Sequence, residues 1–231
     1  MKKIRLFRPV LAGATWPDRV ATCFGAAFGL ALIGLGGFLS SEAGWSEAWI
    51  VAPIGASAVL LFAVPASPLT QPWPVIGGSI VSAIAGVAAG TLIGNDAVAV
   101  GLAVGLAIAA MSLTGTLHPP GGAVAITSVV AVSTGGGSHL LFPLAPIGIE
   151  AAAIVLLAWA FHRLVTGHSY PHVPPMVIEP VNPLPGSQIE FGKSDVDAVL
   201  ARMDDAFDIS REDLEAILHA VESEALARAT R

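Results

Sequence analysis

The placement of charge constrains what this chain can fold into. No Lys or Arg occurs between Arg19 and Arg163. That stretch contains four acidic residues, which are Glu42, Glu47, Asp96 and Glu150. Soluble domains contain about 25% charged residues, whereas this chain of 231 residues is 12% charged and 54% hydrophobic. We therefore predict a polytopic integral membrane protein surrounded by the lipid bilayer. Its net charge of −6 argues against a nucleic-acid partner, which requires a basic face.

Six apolar segments, separated by short turns rich in Pro, Gly and Ser, fill this stretch. They cover residues 20–40, 48–65, 73–94, 97–117, 119–133 and 142–165. Four of them reach the length of about 20 helical residues that a hydrocarbon core of about 30 Å requires. The second and fifth are shorter and have Pro and Gly near their starts, which is typical of re-entrant or discontinuous helices. The predicted fold is an all-α helical membrane bundle.

Basic residues indicate the orientation of the chain. Several precede the first apolar segment, and Arg163 follows the last. Those that precede it are Lys2, Lys3, Arg5, Arg8 and Arg19. Because basic residues stay preferentially on the cytoplasmic side, we predict that both termini are cytoplasmic and that the protein lies in the plasma or bacterial inner membrane. An even number of crossings follows. Six crossings satisfy it, and so do four crossings with two re-entrant loops.

The two broken segments resemble each other at their starts. Residues 52–57 read APIGAS and residues 118–123 read HPPGGA, and a longer apolar segment flanks each motif on either side. This pattern predicts an internal duplication of three segments plus three. An odd number of crossings per half would invert the second copy. Coincidence in a chain rich in Gly, Ala and Pro is the alternative.

His118 is the most informative residue of the apolar part, because an ionisable side chain in a membrane segment is expected to have a function. It precedes Pro119, Pro120, Gly121 and Gly122. A helix that begins here presents N–H groups and a partial positive charge, which favour a small anion. A histidine that is merely hydrogen-bonded at a turn is the alternative.

The predicted substrate site combines the starts of both broken segments. Its residues are Pro53, Gly55, Ala56, Ser57, His118, Pro119, Pro120, Gly121 and Gly122. Most of them would act through backbone N–H groups, whereas Ser57 and His118 would add side-chain donors. His118 is also a candidate for coupling a proton, since the ordinary pKa of an imidazole is about 6.5.

Enzymatic activity is not predicted. The sequence has no Ser-His-Asp set in a recognisable motif and no glycine-rich phosphate loop. We expect no cofactor and no metal, since the spacing of the histidines near the end of the apolar part matches no compact ligand pattern. These are His162, His168 and His172. Three roles stay open for Glu150: pairing with His118 or His139, relaying protons, or lying at the membrane surface. A membrane-embedded enzyme that uses Glu150 and His118 is a weaker interpretation.

Glycines recur at four-residue spacing in the long segments, which lets helix backbones approach closely in lipid. The sets are Gly25 and Gly29, Gly86 with Gly90 and Gly94, and Gly101 with Gly105. We predict close helix packing, and small-residue faces that support a homodimer or homotrimer. The only cysteine, Cys23, lies in an apolar run and is predicted to be a buried, inert thiol.

Several separated motifs resemble the HPP family of integral membrane proteins. They are TLHPPGGA at 116–123, PIGASAVLLF at 53–62, the Val-Pro and Ser-Pro pairs at 64–65 and 67–68, and QPW at 71–73. The resemblance covers roughly 17–166, and the motifs occur in the family's order. It implies transport of a small anion, with nitrite as the candidate substrate.

Beyond the membrane domain, 1–166, the chain changes character. Residues 167–193 form a Pro-rich segment that is predicted to be an extended linker, and 194–231 are predicted to form a cytoplasmic pair of amphipathic helices. Residues 210–213, SRED, fit a capping box at the start of the second helix. Two short helices bury too little surface to be stable alone, so we expect them to pack on the membrane domain, on a second copy or on a regulatory partner.

The tail leaves a second interpretation of function open. In many HPP members a similar region leads into a pair of nucleotide-sensing CBS domains, so we expect the regulatory input here to be absent or supplied in trans. The alternative to a transporter or channel is a non-transporting membrane scaffold or sensor that acts through its C-terminal helices.

Overall fold

The described part of the chain is built from α-helices. The computed structural model describes residues 16–42, 52–135 and 140–172, together with Leu214 and Leu218. The helices are α1 (Trp16–Glu42), α2 (Pro53–Ala63), α3 (Pro72–Leu92), α4 (Asp96–Thr114), α5 (Gly121–Ser133) and α6 (Ile149–Phe161). Turns of π-helix precede and follow α6, and the run Pro143–Thr166 is kinked at Ala145, whose φ of −133° and ψ of 114° are not helical. The prediction of an all-α membrane bundle is confirmed, and the described ranges contain no strand.

Helix lengths divide the bundle as the sequence predicts. Four helical runs are long and apolar enough to cross a membrane: those of α1, α3 and α4, and the run that contains α6. Helices α2 and α5 have 11 and 13 residues and are too short to cross at 1.5 Å per residue. The second and fifth apolar segments are therefore the short, broken ones.

Local sequence explains where several helices begin and end. Pro53 and Pro72 occupy first positions of α2 and α3, where the missing N–H of proline costs no helical hydrogen bond. The Asn95 side chain caps α4 by accepting a hydrogen bond from the Val98 N–H at 3.2 Å. Gly115 ends α4 in the left-handed conformation, with φ of 64°. The chain turns sharply at that glycine, and the segment that follows re-enters the protein.

The helices pack in two groups of three. One core combines α1, α2 and α6 and includes Leu61, Phe62 and Ile154. The other combines α3, α4 and α5 and includes Met111 and Val129. Contacts of α3 with α6 and of α2 with α5 join the groups. The set of main packed pairs is symmetric. When α1, α2 and α3 are exchanged with α4, α5 and α6 in that order, each packed pair becomes a packed pair, so that α3 with α5 becomes α6 with α2.

Glycines allow the closest approaches within both groups. A Cβ atom at Gly86 would collide with the backbone carbonyl of Ala125, and one at Gly25 would lie 2.6 Å from the Phe62 ring. The predicted close packing therefore holds for some of the spaced glycines. Among the described residues it does not hold for three of them, which have no such neighbour within 4 Å: Gly94, Gly101 and Gly105.

Large apolar side chains cover the outer surface, whereas polar side chains are buried inside. Phe24, Phe28 and Phe38 are exposed on α1. This distribution suits a protein surrounded by lipid. The prediction of a buried Cys23 is wrong, because its side chain lies on the exposed face of α1.

The chain divides into two compact units, Trp16–His172 and the remaining residues. In the second unit the structure describes Leu214 and Leu218, which are helical and half-buried and belong to the second predicted amphipathic helix. The other predictions for this part lie outside the described residues. They concern the basic residues at 2–8, the linker from 173 onward, the first amphipathic helix and the capping box.

Candidate functional site

A buried hydrogen bond joins the starts of the two broken helices. The Ser57 hydroxyl oxygen, in the second turn of α2, lies 2.9 Å from Nε2 of His118, three residues before α5. The two side chains are 3% and 0% exposed. The structure therefore brings together the two side chains that the sequence predicts as donors in one site.

The second nitrogen of His118 fixes the direction of this bond. Nδ1 lies 2.9 Å from the carbonyl oxygen of Leu69, which can only accept, so Nδ1 carries the ring proton. Burial favours the neutral ring, because a charged imidazolium would lose its hydration there. Nε2 is then an acceptor, and the Ser57 hydroxyl donates to it.

Helix α5 begins level with the middle of α3. A Cβ atom at Gly121 would lie 2.5 Å from the Ser82 hydroxyl oxygen, and Ser82 is the central residue of α3. Farther along, α5 packs on Gly86 and Gly90 at the same sequence offset. Helix α5 therefore runs parallel to the second half of α3.

Helix α2 runs the opposite way from the same level. Its end adjoins the start of α3, because the Thr70 hydroxyl donates to the Val64 carbonyl at 3.1 Å and the Gln71 amide donates to the Pro65 carbonyl at 2.9 Å. Its start lies beside Ser79, a residue in the second turn beyond the start of α3. The N-termini of α2 and α5 thus meet inside the protein, and the two helices run apart.

A small cavity, lined mostly by apolar side chains, lies at this meeting point. Its volume is about 10 Å³, and its polar lining consists of Ser57, Ser79 and Glu150. That volume is about the space of one water molecule. Glu150 is 2% exposed in the first turn of α6, so its side chain is buried inside the protein.

The other predicted site residues occupy different environments. Pro53, Pro120 and Gly121 are buried, Gly55 and Gly122 are half-buried, and Ala56 and Pro119 are exposed. Several of their N–H groups already donate within their own turns. The Gly121 N–H donates to the His118 carbonyl at 2.8 Å, and the Gly55 N–H donates to the Ala52 carbonyl at 3.2 Å. These helix starts therefore contribute their dipoles, rather than these N–H groups, to the interior.

Sequence reasoning missed Leu69, the residue that orients His118. Its contribution is a backbone carbonyl, which any residue type supplies. The available signal was the proline-punctuated turn that contains it, because such turns point carbonyl groups away from regular helices.

The segment after α6 packs against the same turn. The Tyr170 hydroxyl donates to the Thr70 carbonyl at 2.9 Å, and the His172 N–H donates to the Gln71 side-chain oxygen at 2.8 Å. Burial raises the pKa of Tyr170. The first residues of the predicted linker are thus held on the membrane unit, one residue away from Leu69.

His162, in the π-helical turn after α6, is buried against α2. Its Nε2 lies 2.9 Å from the Leu61 carbonyl, and its Nδ1 lies 3.0 Å from the Thr166 hydroxyl. Its ring also packs at a tilt beside those of His168 and Tyr170, with ring centroids 5.9 and 5.8 Å away. These contacts anchor the end of α6 to α2.

Comparison with known proteins gives one family match. Residues 12–171 match the family model described as the transmembrane region of HPP proteins. Two proteins of Dictyostelium discoideum, both described as transmembrane proteins, are 39% and 36% identical over 127 and 128 residues. Each match covers 53% of this chain, and 44% and 40% of the respective relatives. The chain therefore spans less than half the length of these relatives. No solved structure gives a significant match.

Proposed function

Since this chain belongs to the HPP family of integral membrane proteins, we propose that its membrane unit transports a small anion, with nitrite as the substrate that the family resemblance implies. The observation that carries the proposal is the meeting of α2 and α5. Their starts are joined by the bond between Ser57 and His118, and the helices run apart from it. In transporters with inverted repeats, discontinuous helices direct their positive N-terminal ends at the anionic group of the substrate.

The depth of the site supports the same function. Helix α3 has 21 residues, and its length of about 31 Å at 1.5 Å per residue matches the hydrocarbon core. Its central residue, Ser82, then lies near the bilayer centre, and Gly121 lies beside it. Substrate sites of secondary transporters occur at this depth.

An inverted pair of three-helix repeats accounts for this arrangement. Helices α1–α3 form one copy and α4–α6 the other, with the third helix of each copy packed on the first two helices of the other. The symmetry of the packed helix pairs under this exchange supports the interpretation. The opposite directions of α2 and α5 also support it, since inversion reverses the broken helix.

Transport requires the site to widen. The cavity of about 10 Å³ is too small for a three-atom anion. We infer that the two groups of helices separate along both contacts that join them, α3 with α6 and α2 with α5, and that this parts Ser57 from His118. Rocking one group against the other would open the site to each side in turn.

The two ends of the membrane unit support an even number of crossings. A Cβ atom at Gly25 of α1 would lie 2.8 Å from the Phe161 ring of α6, so the start of α1 and the end of α6 lie at one end of the bundle. Arg19 and Arg163 belong to that end. By the positive-inside rule, we place it in the cytoplasm, with the bundle in the plasma or inner membrane.

Uptake into proteoliposomes tests the function. The purified full chain is supplied with nitrite, nitrate, formate or chloride, and saturable nitrite uptake is expected. Ser57→Ala should lower kcat/KM about tenfold or more, because it removes a buried hydrogen bond at the site. Ser112→Ala is the matched control, since the exposed Ser112 hydroxyl donates only to the Ile108 carbonyl of its own helix, at 2.7 Å. If the folded wild-type protein moves none of these anions, the scaffold interpretation replaces this one.

A further inference from the structure

Glu150 stands out among the buried polar groups. It is an acid with 2% exposure, placed in the first turn of α6. It lines the small cavity together with Ser57 and Ser79. Burying a charged carboxylate inside a membrane protein is costly, and such residues mark ion or proton pathways. The proposed use of the site by an anion does not explain why an acid lies there.

A charged Glu150 and a bound anion compete for the same positive helix ends. Helices α2, α5 and α6 all begin beside the cavity, and their positive ends favour one negative charge. Two negative charges in a poorly polarisable interior repel strongly. A protonated carboxyl removes the repulsion, and its O–H becomes a donor for the anion.

His118 is poorly placed to take up that proton. Its Nδ1 already donates to the Leu69 carbonyl, and its Nε2 accepts from the Ser57 hydroxyl. A second ring proton would sit on Nε2 and displace the donated bond. A carboxyl group is therefore better suited to carry the proton that accompanies an anion, because its protonated form is the neutral one.

The helices packed around Glu150 in the described structure differ in the titratable side chains that they carry. Helices α2, α3 and α5 contain no titratable side chain, and neither does the turn Pro143–Gly148. On α1 the residues beside Glu150 include Ile33, Gly36 and Gly37. His118 is hydrogen-bonded to Ser57, which lines the same cavity as Glu150.

We propose that Glu150 carries one proton with each anion that the protein transports. A proton from one side of the membrane binds the carboxylate as the anion enters, and both leave on the other side, so that no net charge moves. The inference rests on the proposed anion transport and adds its coupling. It makes Glu150 the residue that ties anion movement to the pH gradient.

Proteoliposomes containing the full-length protein test this coupling in two modes. The first is the initial rate of nitrite uptake under a gradient of one pH unit, acid outside, with protein-free liposomes subtracted and an internal pH dye as a second readout. The second is exchange of labelled for unlabelled nitrite as a function of pH without a gradient. Glu150→Gln mimics the protonated acid. Asp96→Asn is the control, since exposed Asp96 lies at the start of α4 and accepts from Ser133 at 2.8 Å.

For the wild type and Asp96→Asn we expect the gradient to raise the uptake rate by up to about tenfold, because proton activity changes tenfold per pH unit, and the interior to acidify. Glu150→Gln should lose both responses, and its exchange should become independent of pH. Wild-type uptake that ignores the gradient would overturn the inference while leaving anion transport intact. So would a Glu150→Gln protein that keeps the wild-type pH profile, or one that elutes as a folded protein yet has lost exchange. Failure of the wild type to move nitrite in either mode would remove the proposed function itself.

Discussion

The contact between α3 and α5 predicts a large effect of a single methyl group. In Gly86→Ala the new Cβ would collide with the Ala125 carbonyl and lie 2.6 Å from Cβ of Ser128. A backbone carbonyl cannot rotate away, so α3 and α5 must separate. Overpacking costs about 1–3 kcal/mol, and a clash with backbone belongs at the upper end, about 3 kcal/mol; the better helix propensity of alanine returns about 1 kcal/mol. The net loss of about 2 kcal/mol corresponds to a Tm lower by roughly 4–8 °C for a chain of this size.

The matched control is Gly105→Ala, in the adjacent helix α4. Among the described residues nothing lies within 4 Å of a Cβ atom at Gly105, so the propensity gain should leave the Tm unchanged or higher. Thermal unfolding of both variants in detergent, followed by tryptophan fluorescence, measures the difference. A Gly86→Ala protein that melts with or above the wild type would refute the close approach of α3 and α5.

Two further predictions concern the site and the segment beside it. Ser57→Ala should lower the free energy of unfolding by about 1–3 kcal/mol, because it leaves Nε2 of His118 buried without its donor. In a His118→Phe background the same change should cost less, and a double-mutant cycle measures the difference. Tyr170→Phe removes the bond to the Thr70 carbonyl and should cost about 1 kcal/mol, with faster hydrogen exchange at residues 170–172; unchanged exchange would contradict the docking of this segment.

The positions of the helices could be predicted because hydropathy and helix-breaking residues act locally. Pro53 and the Pro-Pro-Gly-Gly run after His118 mark the starts of the two short helices, and both begin close to where the sequence indicates. Gly115 lies where α4 ends, as its conformational freedom allows. Local signals of this kind survive folding because lipid offers the backbone no other partners.

Contacts between distant segments could not be predicted in the same way. The sequence indicates that Ser57 and His118 share a site, but the carbonyl of Leu69 has no side-chain signature. The burial of Glu150 depends on how α6 packs against α2 and α3, which periodicity does not specify. Tyr170 reads as part of a proline-rich linker, yet it bonds to a residue 100 positions earlier.

The exchange of third helices between the two halves also affects how the protein is made. Helix α3 meets its partners α4 and α5 as soon as they are synthesised, whereas α1 and α2 await α6, which leaves the ribosome after all of these helices. Phe62 already meets Gly25 and Gly29 of α1, but its ring contact with Phe161 forms only after α6 is synthesised. Substitutions in α6 should therefore reduce the amount of mature protein in the membrane as well as its activity, because the first two helices depend on it to complete their packing.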